Sequence, residues 1–428
     1  YFNFFTIGDL QMNKTIKLAV AGAVLSAASM ANAGIIIPAG EWTLDVNGNV
    51  NAFATMADYD TATGTVPATG TALAGSVDAN GEDTSYGLNT GLLPAWLGFT
   101  GTTRQNDLDV SFTISFQPNV SDNTALGMGD QATPLNRQAF ITFGDASWGS
   151  VKLGKDLGIF AGDAILNDMT LLGVGAGGGA SGGATTLGGI GTGYIYPAWR
   201  GQIAYTTPDM NGFQATIAIT NPDQGQGEAA TVESATYSDR FGIEAKAHYM
   251  FNAGAASGKV WVSGASYERE QAVGTTGYKT GSWDATVADI GLAVNTGNLG
   301  LVAYYYSGEG VGQGLVADLL GSEGASCTSN ASAAGQCSER DSDGGYLQAT
   351  YVIPSGTKLG AAYGVNRIDA LNNETDLISE NSRWTVGAYH PLTKHLNLVA
   401  EYNAIESEGH NGYNAEMDTI SLGAILFF

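Results

Sequence analysis

Apolar and polar residues alternate with a period of two along much of this chain. Leu108, Val110, Phe112, Ile114 and Phe116 interleave with Asp109, Ser111, Thr113, Ser115 and Gln117. A β-strand places successive side chains on opposite faces, so this stretch has one apolar and one polar face. Its length is close to the roughly 9–11 residues that a tilted strand needs to cross a bilayer. The alternation recurs. Phe213, Ala215, Ile217 and Ile219 oppose Gln214, Thr216 and Thr220; Ile243, Ala245, Ala247, Tyr249 and Phe251 oppose Glu244, Lys246 and His248. Leu359, Ala361, Tyr363 and Val365 oppose Lys358 and Asn366, and the last segment puts Ile420, Leu422, Ala424, Leu426 and Phe428 on one face.

Short and long connections alternate between these segments. Turn sequences fall at 103–106, 144–147, 208–211, 295–298, 354–356 and 391–394, and long polar stretches at 59–84, 119–134, 156–196, 221–230, 308–342, 367–381 and 406–414. Tight turns at one end and large loops at the other characterise a barrel in an outer membrane. The pattern predicts an all-β, transmembrane antiparallel β-barrel of about sixteen strands, an even number if both termini lie on the periplasmic side. Val260 to Glu270 is strand-like, but an added strand is taken to put the next turn on the wrong side. The stretch between Asn252 and Ser282 is therefore assigned to a long loop, with eighteen strands as the alternative.

Composition favours the same fold. Charged residues are only 14% of the chain, with 61 Gly and 19 Tyr, whereas soluble domains carry about 25% charged residues. A barrel needs no charge on its lipid face and no hydrophobic core inside. The chain has 17 Lys+Arg against 41 Asp+Glu, a formal net charge of −24. Nucleic acid is excluded as a partner because phosphate binding needs basic patches. The acidity fits solvated loops, or a mouth and lumen that concentrate cations.

Residues 12–33 have the order of a secretory signal: a basic start from Met12, an apolar stretch from Leu18 to Met30, and Ala31-Asn32-Ala33 as the cleavage site. That stretch is short of the roughly 20 apolar residues of a spanning helix. Residues 1–11 precede a start codon and are read as upstream sequence, and 34–428 as the barrel domain. Cys327 and Cys337, in a Ser/Ala/Gly-rich stretch, are expected to form a disulfide in an exported protein.

Three passages resemble the general porin family of Gram-negative bacteria. EWTLDVNGNVN from Glu41 to Asn51 looks like the family's first strand. RQAFITFG from Arg137, followed by WGSVKLGK from Trp148, looks like the paired strands before its third loop; RGQIAYTTP from Arg200, with MNGF from Met210, looks like the next hairpin. Phe428 resembles the terminal aromatic signal read by the barrel-insertion machinery. The resemblance implies a trimer, and a third loop that folds into the lumen and sets its acidic residues against basic residues of the wall. The loop is expected from Asp156 to about Tyr196, with Asp156, Asp163 and Asp168 as its acidic members. The family's Pro-Glu-Phe-Gly-Gly is replaced by Leu171, Leu172 and a Gly-rich tract. Arg137 matches the family's wall arginine. Parity points Lys152, Arg200 and Arg383 into the lumen, where each either sets selectivity or simply lines a wide aqueous path.

Other signals carry less. Gly173 to Gly178 matches G-x-G-x-x-G formally, but without a strand–helix context it does not indicate a nucleotide site. His248, His390, His395 and His410 are scattered, so no catalytic cluster, metal site or cofactor is expected. Glu406 and Glu408 are read as loop surface, with loose divalent-cation binding as a second option. Trp42, Trp96, Trp199, Trp384 and Tyr304 to Tyr306 suit interfacial aromatic girdles. The expected function is passive diffusion of small hydrophilic solutes and ions, with a mild cation preference, in contact with outer-membrane lipid and lipopolysaccharide. A substrate-selective channel and an adhesin or structural barrel are the alternatives.

Overall fold

In a computed structural model the described residues are 34–120, 135–177, 185–222, 236–272, 280–313, 322–327, 337–372 and 374–428. The expected signal segment and the residues before it lie outside this set. Sixteen antiparallel strands form one closed sheet. They are β1 (Trp42–Tyr59), β2 (Thr84–Asn89 and Trp96–Gln105, one strand broken in two), β3 (Leu108–Gln117), β4 (Leu135–Asp145), β5 (Gly149–Leu157), β6 (Trp199–Thr206), β7 (Phe213–Thr220) and β8 (Gly242–Ala253). The second half is β9 (Ala256–Ala272), β10 (Thr280–Thr296), β11 (Leu299–Glu309), β12 (Asp341–Val352), β13 (Lys358–Ile368), β14 (Ile378–Pro391), β15 (Leu396–Gly409) and β16 (Asn414–Phe427). Closure is made by β16 on β1, in register from Asn49↔Phe427 to Tyr59↔Met417. The Phe428 and Gly48 backbones exchange two further hydrogen bonds of 2.8 and 2.9 Å. Ile35–Ala39 folds back on the start of β1.

The sheet is inside out relative to a soluble protein. Leu347 and Leu422 are 64% and 59% exposed, whereas Asn51 and Thr419 on the other face are 1% and 0% exposed. An apolar face left bare around a closed sheet fits lipid, and closure leaves no unpaired strand edge within it. Every connection at one end is short, whereas at the other end the loops are long except for the turn at 410–413 between β15 and β16. Asn106 and Asp107 both take positive φ, 48° and 63°, as the favoured two-residue hairpin turn requires.

Three expectations need correction. Val260 to Glu270 is not loop: it lies within β9, paired along its length with β10 and as far as Ser266 with β8. The missing feature was a tight turn at Gly254 (φ 64°); with it the next turn, at Gly297, falls on the correct side. Residues 406–414 are not a long loop either, because β15 and β16 continue to Gly409 and from Asn414. Above an apolar belt a strand can carry charge outward, which imitates loop composition. Thirdly, Trp96, Tyr304 and Tyr306 belong to no girdle. They are buried inside, whereas Tyr305 and Trp384 are exposed; a run of three aromatics on a strand must divide between the faces.

Candidate functional site

The connection between β5 and β6, loop 3, runs back into the barrel. Its first described part holds helix α1 (Gly162–Asn167) and a 3-10 turn, Met169–Leu172. Phe160, Ala164, Ile165, Tyr194 and Ile195 of the loop pack with Trp261, Tyr267, Tyr304 and Tyr346 of the wall in one buried cluster. Apolar contact alone would leave the loop's peptide groups unpaired, and a buried unpaired amide costs about 1–3 kcal/mol. The wall supplies the partners.

Glu244 on β8 accepts the amides of Ile159 and Phe160 at 2.5 and 3.1 Å, and Tyr267 donates to its other oxygen. Asp289 on β10 accepts Ala161 N–H at 3.3 Å, together with the Ser263 and Tyr304 hydroxyls. Gln348 on β12 accepts Met169 N–H at 2.7 Å and donates to the Asn167 carbonyl. Glu401 on β15 accepts the amides of Val174 and Gly175, both at 2.9 Å, and the Tyr389 hydroxyl at 2.7 Å. These wall carboxylates therefore hold loop backbone.

The expected acidic members of loop 3 have different places. Asp156 is not on the loop: it is the penultimate residue of β5, buried and facing inward, and the loop begins after Leu157. It ion-pairs with Lys152 and accepts from Gln138 at 2.7 Å. Asp163, in the first turn of α1, is buried between Lys246, at 3.2 Å, and Lys259. Burial opposes its ionisation, but the two ammonium groups outweigh that and hold its carboxyl well below the ordinary aspartate range. Asp168 begins the 3-10 turn, accepting Thr170 N–H at 2.9 Å through one oxygen. Its other oxygen accepts Gly189 N–H and the Tyr194 hydroxyl, both at 2.9 Å. Burial, then the neighbouring Asp168 charge, raises the Tyr194 phenol well above its usual pKa.

Among the expected wall bases, Arg383 reaches loop 3, 3.9 Å from Asp168. Arg200 is buried 3.5 Å from Glu244, its guanidinium 4.8 Å from the Tyr267 ring centre. Lys152 remains partly exposed beside Phe140, 4.8 Å from the ring centre. Arg137 stands beside a register shift in the β3–β4 pairing, its guanidinium 5.8 Å from the Trp199 ring centre, and Trp199 lies 6.1 Å from Trp96. It joins an aromatic cluster where loop 3 returns to the sheet.

Sequence reasoning placed Glu244 and Lys246 on the polar face of their strand but gave them no role, and it missed Lys259, Asp289 and Glu401. Parity was the available signal: a charged side chain facing inward from a strand has either water or a loop as its partner. Half-buried inward residues mark where water remains, and they lie toward the tight-turn end: Ser111, Thr113, Thr142, Lys152, Thr206 and Thr216. Cys327 and Cys337 are joined by a disulfide across a small hairpin in the loop between β11 and β12.

A family model described as Gram-negative porin matches residues 18–410. No curated protein matches the chain in sequence. Among solved structures, the outer membrane channel DcaP of Acinetobacter baumannii is similar with a TM-score of 0.60 and 14% identity, over 92% of this chain and 100% of that one. The anion-selective porin of Comamonas acidovorans gives 0.58 and 15%, over 91% and 100%. OmpT of Vibrio cholerae in a trimer form gives 0.50 and 12%, over 90% and 99%.

Proposed function

We propose that this chain, which belongs to the Gram-negative porin family, lets small hydrophilic solutes and ions diffuse passively through a water-filled lumen, with a mild cation preference. That it is an outer-membrane β-barrel channel follows from the family and the fold, which point to a channel rather than an enzyme. The finer reading rests mainly on one observation: loop 3 is bonded to the β8–β15 wall, and the half-buried threonines of the periplasmic half face the space it leaves.

The preference for cations is argued from where charge lies. Residues 158–198 contain no Lys or Arg. The acidic side chains around loop 3 are turned into loop amides or basic partners. Outside, Asp58, Glu408, Glu416 and Asp418 are exposed at the extracellular ends of their strands. A net charge of −24, carried mostly by loops and rim, raises the local cation concentration at the outer mouth. Loop 3 with Asp163 and Asp168, against Lys152, Arg200 and Arg383, is then the constriction. A homotrimer is the assembly read from the family and from the trimer form of the Vibrio cholerae protein. Phe428, whose backbone closes the barrel on Gly48, is assigned to recognition by the insertion machinery, and the exposed apolar belt to lipid and lipopolysaccharide.

Liposome swelling with neutral sugars of increasing size tests this reading. Uptake that falls smoothly with solute size supports a general diffusion channel. Saturable uptake of one sugar class overturns it in favour of a substrate-selective channel.

A further inference from the structure

Loop 3 is not alone in the barrel. Loop 1, between β1 and β2, and loop 6, between β11 and β12, also enter it, and the three meet at two asparagines. Asn366 on β13 and Asn381 on β14 are direct cross-strand partners. Both face inward and both are 0% exposed.

Asn366 accepts Gly193 N–H of loop 3 at 2.8 Å. Its amide donates to the Tyr194 carbonyl of loop 3 at 3.3 Å and to the Gln313 carbonyl of loop 6 at 3.1 Å. Asn381 donates to the Gln313 side-chain carbonyl at 3.2 Å and to the Thr71 carbonyl of loop 1 at 3.0 Å. It accepts Leu73 N–H of loop 1 at 3.1 Å and the Ser407 hydroxyl of β15 at 2.5 Å. Gln313 is fully buried between the two. Only a carboxamide offers two donors and a two-lone-pair acceptor on so short a stem. An aspartate would lose the donors, and a leucine would lose both.

Neighbouring contacts give the same picture. Ser407 accepts the amides of both Leu73 and Ala74 of loop 1 at 2.8 and 2.9 Å. A Cβ at Gly364, two residues before Asn366, would lie 2.1 Å from the Thr192 carbonyl oxygen of loop 3. The base of loop 6 is tied down by Arg340, which donates to Glu374 of the loop between β13 and β14 and to the Glu323 carbonyl.

We propose that the Asn366–Asn381 pair positions loops 1, 3 and 6 as one interlocked unit, and thereby sets the exclusion limit of the channel. Neither asparagine need touch a permeating solute. Loop 6 is the shared member: Asn366 couples it to loop 3 and Asn381 couples it to loop 1. Releasing either loosens two loops at once. The proposal rests on the diffusion-channel reading above.

The test is liposome swelling with a graded series of neutral sugars, using the full-length refolded protein and the variants Asn366→Ala and Asn381→Ala. Correct folding is checked by resistance of the barrel to unfolding in SDS without heating. The expected result is little change for a pentose and a several-fold faster uptake of a trisaccharide, so the gain grows with solute size. A merely structural weakening would scale all sugars alike. Gly364→Ala displaces loop 3 at Thr192 without altering either asparagine, and it should move the cut-off in the same direction even if the alanine variants do not fold. Folded variants with the wild-type cut-off overturn the proposal alone. A wild-type barrel that passes no sugar of any size overturns the channel reading, and the proposal with it.

Discussion

The inner and outer faces of this barrel treat carboxylates in opposite ways. Inside, Asp163 sits between two lysines, Asp156 against Lys152, and Glu244 and Glu401 against loop amides. Outside, at the extracellular rim, carboxylates are set opposite carboxylates: Asp58 pairs in register with Asp418 and Glu406 with Glu416, while Glu380, opposite Glu408, also takes an ion pair from Arg367 at 2.8 Å. The difference follows from dielectric. An unpaired charge in a closed interior is heavily penalised, whereas water and salt screen like charges at a surface. The net charge of the chain therefore describes its rim and loops, and says little about its constriction.

That contrast predicts unequal consequences for removing one charge. Replacing Lys246 and Lys259 together by Met leaves Asp163 buried without a partner, which should cost about 3–5 kcal/mol. The readout is the denaturant midpoint of the purified barrel; an unchanged midpoint would show that the two lysines do not hold the loop. Glu401→Leu strips the acceptor from two loop amides, at about 1–3 kcal/mol for each group left unsatisfied. It should appear as faster amide hydrogen exchange at Val174 and Gly175, with the far wall unchanged.

A third, smaller effect is pH-dependent. Asp163 has a folded pKa depressed below its ordinary value of 3.8, so its contribution to holding α1 is fully present above that value. It is lost as pH falls through the depressed value. Exchange of the α1 amides should stay slow at pH 4 and quicken only at stronger acidity; loosening already at pH 5 would contradict the lysine pairing. At the rim, Glu416→Gln should change stability by no more than about 0.5 kcal/mol, because it removes a screened like-charge neighbour and strands nothing.

Much of the barrel was legible in the sequence because lipid on one face and polar partners on the other impose a strict period of two. Leu108 to Gln117 carries that period without a break, and it is β3. The reading failed where a rule valid in the bilayer was applied beyond it. Glu406 and Glu408 read as loop because they stand in a polar stretch beyond the apolar belt. Val260 to Glu270 reads as loop because a turn as small as Gly254-Ala255 leaves little trace in composition. The site was less legible than the fold. Asp163 and Asp168 could be named from the loop's position, but their partners lie 83 and 215 residues further along, at Lys246 and Arg383. No local pattern announces such pairs, although inward parity marks every candidate. Asn366 and Asn381 look like ordinary polar strand positions, and only the crossing of three loops gives them a role.

The conducting pore proposed here draws its selectivity from the acidic rim more than from a balanced interior. The reversal potential of the refolded protein in a planar bilayer, under a salt gradient, tests it most directly. Stepwise openings with a reversal on the cation side are the expected result. The displacement should be larger at low salt, where screening is weaker, and reduced when Glu406 and Glu416 are both changed to Gln. A reversal on the anion side, insensitive to the rim and abolished by Lys152→Gln, would contradict it and place selectivity in the wall.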